Sequence, residues 1–159
     1  MGVEIERKFK VKEDFRPTSI GIEMAQGYLS RDPKRTVRIR IAGIQGFLTI
    51  KGVNRGAARL EYEYEIPVEE ARELLVLCDA PLVEKTRYVE RAAGHTWEVD
   101  VFHGANAGLV IAEIELASED EAFALPVWVG AEVTGEHRYY NSALIAHPYS
   151  QWSPAERAE

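Results

Sequence analysis

The sequence predicts a mainly β protein of the α+β class. It is an eight-stranded antiparallel sheet closed into a barrel or tunnel, with amphipathic helices packed outside. Three observations predict it. Eight segments alternate apolar and polar residues with period two. Short turns, many with Gly or Asn, join most of them, as antiparallel neighbours require. Amphipathic helical segments are available to cover the apolar faces, which turns the polar faces inward.

The first strand runs from Val3 to Val11. Val3, Ile5, Phe9 and Val11 point one way, Glu4, Glu6, Lys8 and Lys10 the other, and Arg7 breaks the apolar row. A second strand ends at Gln26-Gly27-Tyr28-Leu29-Ser30. Thr36 to Ala42 sets Val37, Ile39 and Ile41 opposite Arg38 and Arg40, and Phe47 to Lys51 sets Leu48 and Ile50 opposite Thr49 and Lys51. Ala58 to Ile66 is the cleanest alternation, with Leu60, Tyr62 and Tyr64 against Arg59, Glu61, Glu63 and Glu65. Leu82 to Arg91, His95 to Phe102 and Leu109 to Ala117 complete the set.

Three helices are expected between them. Pro67 suits a first helical position, and Val68, Ala71, Leu74, Leu75 and Cys78 form an apolar stripe that Pro81 ends. Ser118-Glu119-Asp120-Glu121 matches a capping box and opens a short helix closed by Pro126. Thr134 caps a last helix, in which Tyr140, Ala143, Leu144 and His147 share a face before Pro148. Residues 1–148 read as one domain and 149–159 as a polar tail carrying Trp152. Tyr62 and Tyr64 read as core residues.

Composition bounds the function. A chain of 159 residues, 46% apolar and 28% charged, buries a real core as one domain. With 19 Lys and Arg against 26 Asp and Glu, the net charge of −7 argues against nucleic acid or an anionic membrane as partner. No apolar run approaches the ~20 residues that span a bilayer, and the acidic N-terminus lacks a signal-peptide apolar region. One cysteine, Cys78, fits a reducing cytoplasm and a core thiol. The four histidines show no metal-ligand spacing.

The polar faces are the informative feature. A sheet often wets one face, so solvation is their bland explanation. The charges, however, come in like-signed pairs two apart: Glu4/Glu6, Arg38/Arg40, Glu61/Glu63, Lys85/Arg87 and Glu113/Glu115. Such pairs repel on one face and call for a ligand of opposite sign. Lys8, Arg38, Arg40, Lys51, Arg59, Lys85 and Arg87 in a lumen would hold a small polyanion. The carboxylates would hold a hard divalent cation, Mg²⁺ or Mn²⁺, bridging to phosphate oxygens. No Walker-type loop is present, so side chains must do the holding.

Glu4-Ile5-Glu6-Arg7-Lys8 is an ExExK strand, followed in order by RxR (38–40), TxK (49–51), ExE (61–63), KxR (85–87) and a second ExE (113–115). In this the chain resembles the CYTH family, the triphosphate tunnel metalloenzymes, over nearly its whole length, and most of all the short stand-alone bacterial inorganic triphosphatases. The resemblance implies metal-dependent hydrolysis at a triphosphate, foremost tripolyphosphate to pyrophosphate and phosphate. It implies Glu4, Glu6, Glu113 and Glu115 as metal ligands, with Glu61 and Glu63 serving a second metal or orienting the clamp. Lys8, Arg38, Arg40, Lys51, Lys85 and Arg87 would grip phosphate, and Arg138 would reach a tunnel mouth. Lys8 and Tyr28 would stand near the attacking water and Lys85 would join the catalytic set; Glu6 or Glu4 would orient the water, or a lysine of depressed pKa would act with Tyr28. Thiamine or nucleoside triphosphates, a class IV adenylate cyclase reaction, and a binding module without turnover are the alternatives. Monomer and homodimer both remain open.

Overall fold

The computed structural model describes residues 2–158. Nine strands follow in order: β1 (Val3–Val11), β2 (Ile22–Ser30), β3 (Arg35–Ala42), β4 (Gln45–Gly52), β5 (Ala58–Ile66), β6 (Val83–Ala92), β7 (His95–Phe102), β8 (Val110–Glu115) and β9 (Val129–Glu132). Helix α1 (Val68–Val76) links β5 to β6; α2 (Ala143–Ala146) and α3 (Pro154–Ala158) lie near the C-terminus.

The hydrogen-bonded order is β5-β4-β3-β2-β6-β7-β8-β1-β9, and a β5–β1 pairing closes β1 to β8 into a ring. Every pairing is antiparallel. The closed eight-stranded barrel is the one the alternation predicts. One edge of β1 is divided: Val3–Ile5 pair with β5, while Phe9 and Val11 pair with β9. The ninth strand was not expected, because four residues, Val129-Gly130-Ala131-Glu132, are too few to display a period.

The apolar side chains pack in two cores, one over the outer face of the barrel and one on its inner face, where the C-terminal segment fills one end of the tunnel. Phe9, Trp97, Val99, Ala112 and Ile114 are buried over β1, β7 and β8. Trp97 meets Phe9 edge-on at 5.5 Å and Trp128 at 5.7 Å. Arg7 is explained here: on the outer face its guanidinium pairs with Glu132 of β9 at 2.6 Å and lies 4.9 Å over the Phe123 ring. The second core joins Tyr28, Val83, Phe102 and Ile111 to Val133, Tyr139, Leu144 and Trp152. Helix α1 covers β3 and β4; a Cβ on Gly46 would lie 2.7 Å from the Ala71 Cβ, so only glycine allows this approach.

Several local expectations give way to packing. The first helix stops at Val76, and Cys78 lies beyond it, half-buried, with burial raising its thiol pKa. Ser118–Glu121 makes a single turn and no helix. The Glu121 carboxylate does reach back to the Ala117 N–H, but Phe123 is drawn onto Phe9 and Trp97 and the chain cannot coil. Thr134 caps no helix either. Its Oγ1 accepts from the Lys8 N–H and donates to Glu132, and the segment beyond breaks into a 3-10 turn at His137–Tyr139 and the short α2. Tyr62 and Tyr64, on the outer face of β5, are 47% and 54% exposed and belong to neither core cluster. Residues 149–158 fold back on the barrel, with Trp152 buried against Tyr139 at 5.1 Å.

Candidate active site

Alternation carries the polar side chains of all eight ring strands inward, where they border a cavity of about 210 Å³. Lys8, Arg38, Arg40, Lys51, Arg59, Lys85 and Arg87 line it, together with Glu4, Glu6, Glu61, Glu63, Glu98, Glu113 and Glu115. Register decides which meet. Glu6 stands opposite Glu115, Lys8 opposite Glu113, Arg87 opposite Asp100, Lys51 opposite Glu61 and Arg59 opposite Glu4.

One half of the tunnel is cationic. Lys85 is fully buried, 2.7 Å from Asp100. Arg87 grips the same carboxylate through two hydrogen bonds of 2.8 and 2.9 Å. Asp100 is therefore held well below the ordinary carboxylate range despite its burial. Burial pushes Lys85 down to about 7, with Arg87 and Arg40 adding to the shift and Asp100 offsetting only part of it. Burial beside Arg38 and Arg87 likewise lowers Arg40 to about 9. Arg38 donates to Thr49 and Glu63, while its buried Nε has no partner among the described residues. An orphaned donor at a polar cavity suits an anionic ligand.

The other half is acidic. Burial, then Glu113 and Glu4, raise Glu6 well above its usual range. Burial and neighbouring carboxylates raise Glu61 and Glu115 too. Lys51 tempers this half, 3.1 Å from Glu4 and 3.4 Å from Glu61. Glu113 sits at the boundary: it pairs with Lys8 at 2.9 Å, and the cations Lys8, Arg87 and Lys85 depress it in spite of burial. Lys8 is held above its ordinary range by Glu113 and Glu6 against that same burial.

The predicted set is thus gathered in one cavity, with one exception. Arg138 does not line the tunnel: its guanidinium lies over Tyr139 and Trp152 outside, at 5.2 and 5.7 Å. Arg59 lines the tunnel but ties its Nε and one Nη to the Gly52 carbonyl. Glu63 faces Arg38 and Thr49, which fits orientation of the clamp. Sequence reasoning passed over Glu98, Asp100, Gln26 and Thr49. The like-charged spacing that found the other pairs applies equally to Glu98/Asp100, and strand alternation puts Gln26 on the face of Tyr28. Asn141 and Tyr140 also line the cavity from an irregular segment with no sequence signal.

A divalent cation is tested against these residues by their chemistry. Among the described residues no three acidic, histidine or cysteine side chains form a ready-made cage. Mg²⁺-like ions, however, keep several waters and use one or two carboxylates plus substrate phosphates. Glu4, Glu6, Glu61 and Glu115 offer hard oxygens only, and three of the four are pushed up by burial and by neighbouring carboxylates, a penalty a cation would relieve. The donor set fits such an ion.

The fold and site define a class: closed antiparallel tunnels that present cations and carboxylates to a small polyanion. The chain belongs to the CYTH domain family, which matches residues 2–146. It is 51% identical to an inorganic triphosphatase of Acetivibrio thermocellus, over 96% of this chain and 99% of that protein. It is 39% identical to an inorganic triphosphatase of Nitrosomonas europaea, over 89% of this chain and 95% of that one. The crystal structure of the inorganic triphosphatase NE1496 superposes with a TM-score of 0.65 at 35% identity, covering 94% of this chain and 99% of that chain.

Proposed function

We propose that the chain is an inorganic triphosphatase that hydrolyses the terminal phosphoanhydride of tripolyphosphate to pyrophosphate and phosphate, with Mg²⁺ or Mn²⁺. The observation that carries this is the divided tunnel: Arg38, Arg40, Lys85 and Arg87 line one side, and Glu4, Glu6, Glu61 and Glu115 the other. The names of the two relatives and of the matching structure support the same substrate. Residues 1–148 would be the tunnel domain, and the lone, half-buried Cys78 fits a cytoplasmic setting.

Arg38, Arg40, Arg87 and Lys8 grip the phosphate chain and hold it along the tunnel. Glu4, Glu6 and Glu115 would hold the divalent ion, with Glu61 beside them. When bound, the ion neutralises phosphate charge and polarises the terminal P–O bonds. Water attacks the terminal phosphorus in line; its proton leaves to a base, and pyrophosphate departs with the electrons of the broken P–O bond. Lys85, which lines the tunnel and which burial lowers to about 7, is the base we assign to that proton. Lys8 is held protonated by Glu113 and acts as a clamp. Both aromatic side chains on the lining are engaged: Tyr28 with Gln26, and Tyr140 with Asn54 through its hydroxyl and with the Lys8 ammonium over its ring. With the Tyr28 ring packed in the second core and Lys8 over that of Tyr140, neither lining ring is a free stacking platform for a base or thiazole, which favours an all-phosphate substrate.

The test is phosphate release from tripolyphosphate, ATP and thiamine triphosphate, each with and without Mg²⁺ or Mn²⁺. Metal-dependent release, greatest from tripolyphosphate, is expected. Tight binding without release would make the chain a binding module, and preference for an organic triphosphate would overturn the substrate.

A further inference from the structure

The cationic half is organised by two neutral amides that no charge pattern announces. Gln26, on β2, is fully buried. Arg40 Nε only donates, so its partner 2.8 Å away is the Gln26 carbonyl oxygen Oε1. Gln26 Nε2 therefore donates twice, to the Tyr28 hydroxyl oxygen and to Asn141 Oδ1, each at 3.1 Å. Lys85 Nζ donates to the same Asn141 oxygen at 2.9 Å, which fixes that amide independently.

Two consequences follow for the lumen. The Tyr28 oxygen is occupied as an acceptor, so its own hydrogen points away from Gln26. The charged neighbours Lys8 and Arg40 offer it no acceptor, and Tyr28 borders the cavity. Asn141 also borders the cavity, and with Oδ1 engaged by Gln26 and Lys85 its Nδ2 is left to the lumen. We propose that Gln26 and Asn141 act as a pair that presents the Tyr28 O–H and the Asn141 Nδ2–H₂ to phosphate oxygens as neutral, directional donors. Gln26 is a positioning residue; Asn141 touches the substrate. Neutral donors suit this wall because further buried cations would depress those already crowded there. The inference rests on the triphosphate reading for the identity of the ligand.

The test uses the whole protein with ¹³Cζ-labelled tyrosine and tripolyphosphate calorimetry in EDTA. In Gln26→Glu the carboxylate has no donor, so Tyr28 must turn its hydrogen to it. The Tyr28 Cζ resonance then moves downfield in the free protein, and kcat falls about tenfold or more while Kd changes by less than about threefold. Asn141→Leu weakens tripolyphosphate binding by about tenfold. If Gln26→Glu does not fold, Gln26→Leu reads the same resonance, which must also shift. A merely structural role would lower the melting temperature and leave the Tyr28 resonance of the Gln26 variants and the Kd of Asn141→Leu unmoved in folded protein; that result overturns the proposal. Wild-type protein that binds no tripolyphosphate would overturn the substrate reading itself, whereas wild-type binding with unaffected variants overturns only the pair.

Discussion

The two halves of the tunnel are out of balance in opposite senses. Around β2, β3 and β6 the side chains pushed toward their neutral form are cations: Lys85 falls to about 7 and Arg40 to about 9. Around β1, β5 and β8 they are carboxylates: Glu6, Glu61 and Glu115 all rise. Burial and like-charged neighbours strain the cations of the first half and the carboxylates of the second, although the two share one cavity. A phosphate chain supplies what the first needs and a divalent cation what the second needs. The barrel keeps the halves apart because strand register sets Arg87 against Asp100 on one side and Glu6 against Glu115 on the other.

The largest expected effects break the acidic half. Glu6→Ala and Glu115→Ala should each lower tripolyphosphate hydrolysis by 10³-fold or so, as loss of a charge-stabilising group does. Neither should unfold the protein, and removing Glu6 should stabilise it by about 1 kcal/mol in metal-free buffer. Activity assays beside thermal melts check both; joint loss of folding would mean these are structural ion pairs.

Breaking the other half should act the opposite way. Asp100→Asn removes the counter-ion shared by Lys85 and Arg87 and should cost about 3–5 kcal/mol of stability, read from chemical denaturation. Acid has the same target. Asp100 is depressed in the fold, so its stabilisation is present above the unfolded carboxylate pKa of about 3.9 and is lost as pH falls through the folded value. Glu6 is raised, so its penalty is present at neutral pH and vanishes as pH falls toward about 4.3. The gain from Glu6→Gln should therefore be greatest near neutrality and shrink on acidification. A gain independent of pH would contradict the assignment.

The comparison also explains what was legible in the sequence. Strand alternation and the paired charges disclosed the ring and most of the lumen, because a period of two leaves a side chain only two faces to choose from. Contacts across the molecule stayed hidden. Asn141 reaches the tunnel only because residues 133–152 fold over the second core, and the four residues of β9 are too short to show a pattern. The Ser118 capping box was locally sound, yet Phe123 packing on Trp97 prevails over it. The outer face of β5 shows the same limit in reverse: its alternation is the cleanest in the chain, yet Tyr62 and Tyr64 stay about half exposed. The smallest effect belongs there, where Tyr62→Ser should change stability by less than about 0.5 kcal/mol and leave hydrolysis intact.

The central claim is that anion and cation occupy opposite halves of one tunnel. Anomalous scattering from crystals grown with Mn²⁺ and tripolyphosphate tests it directly. The account predicts a manganese peak beside Glu4, Glu6 and Glu115, with phosphate density against Arg38, Arg40 and Arg87. Manganese beside Asp100, or phosphate bound outside the barrel, would contradict it.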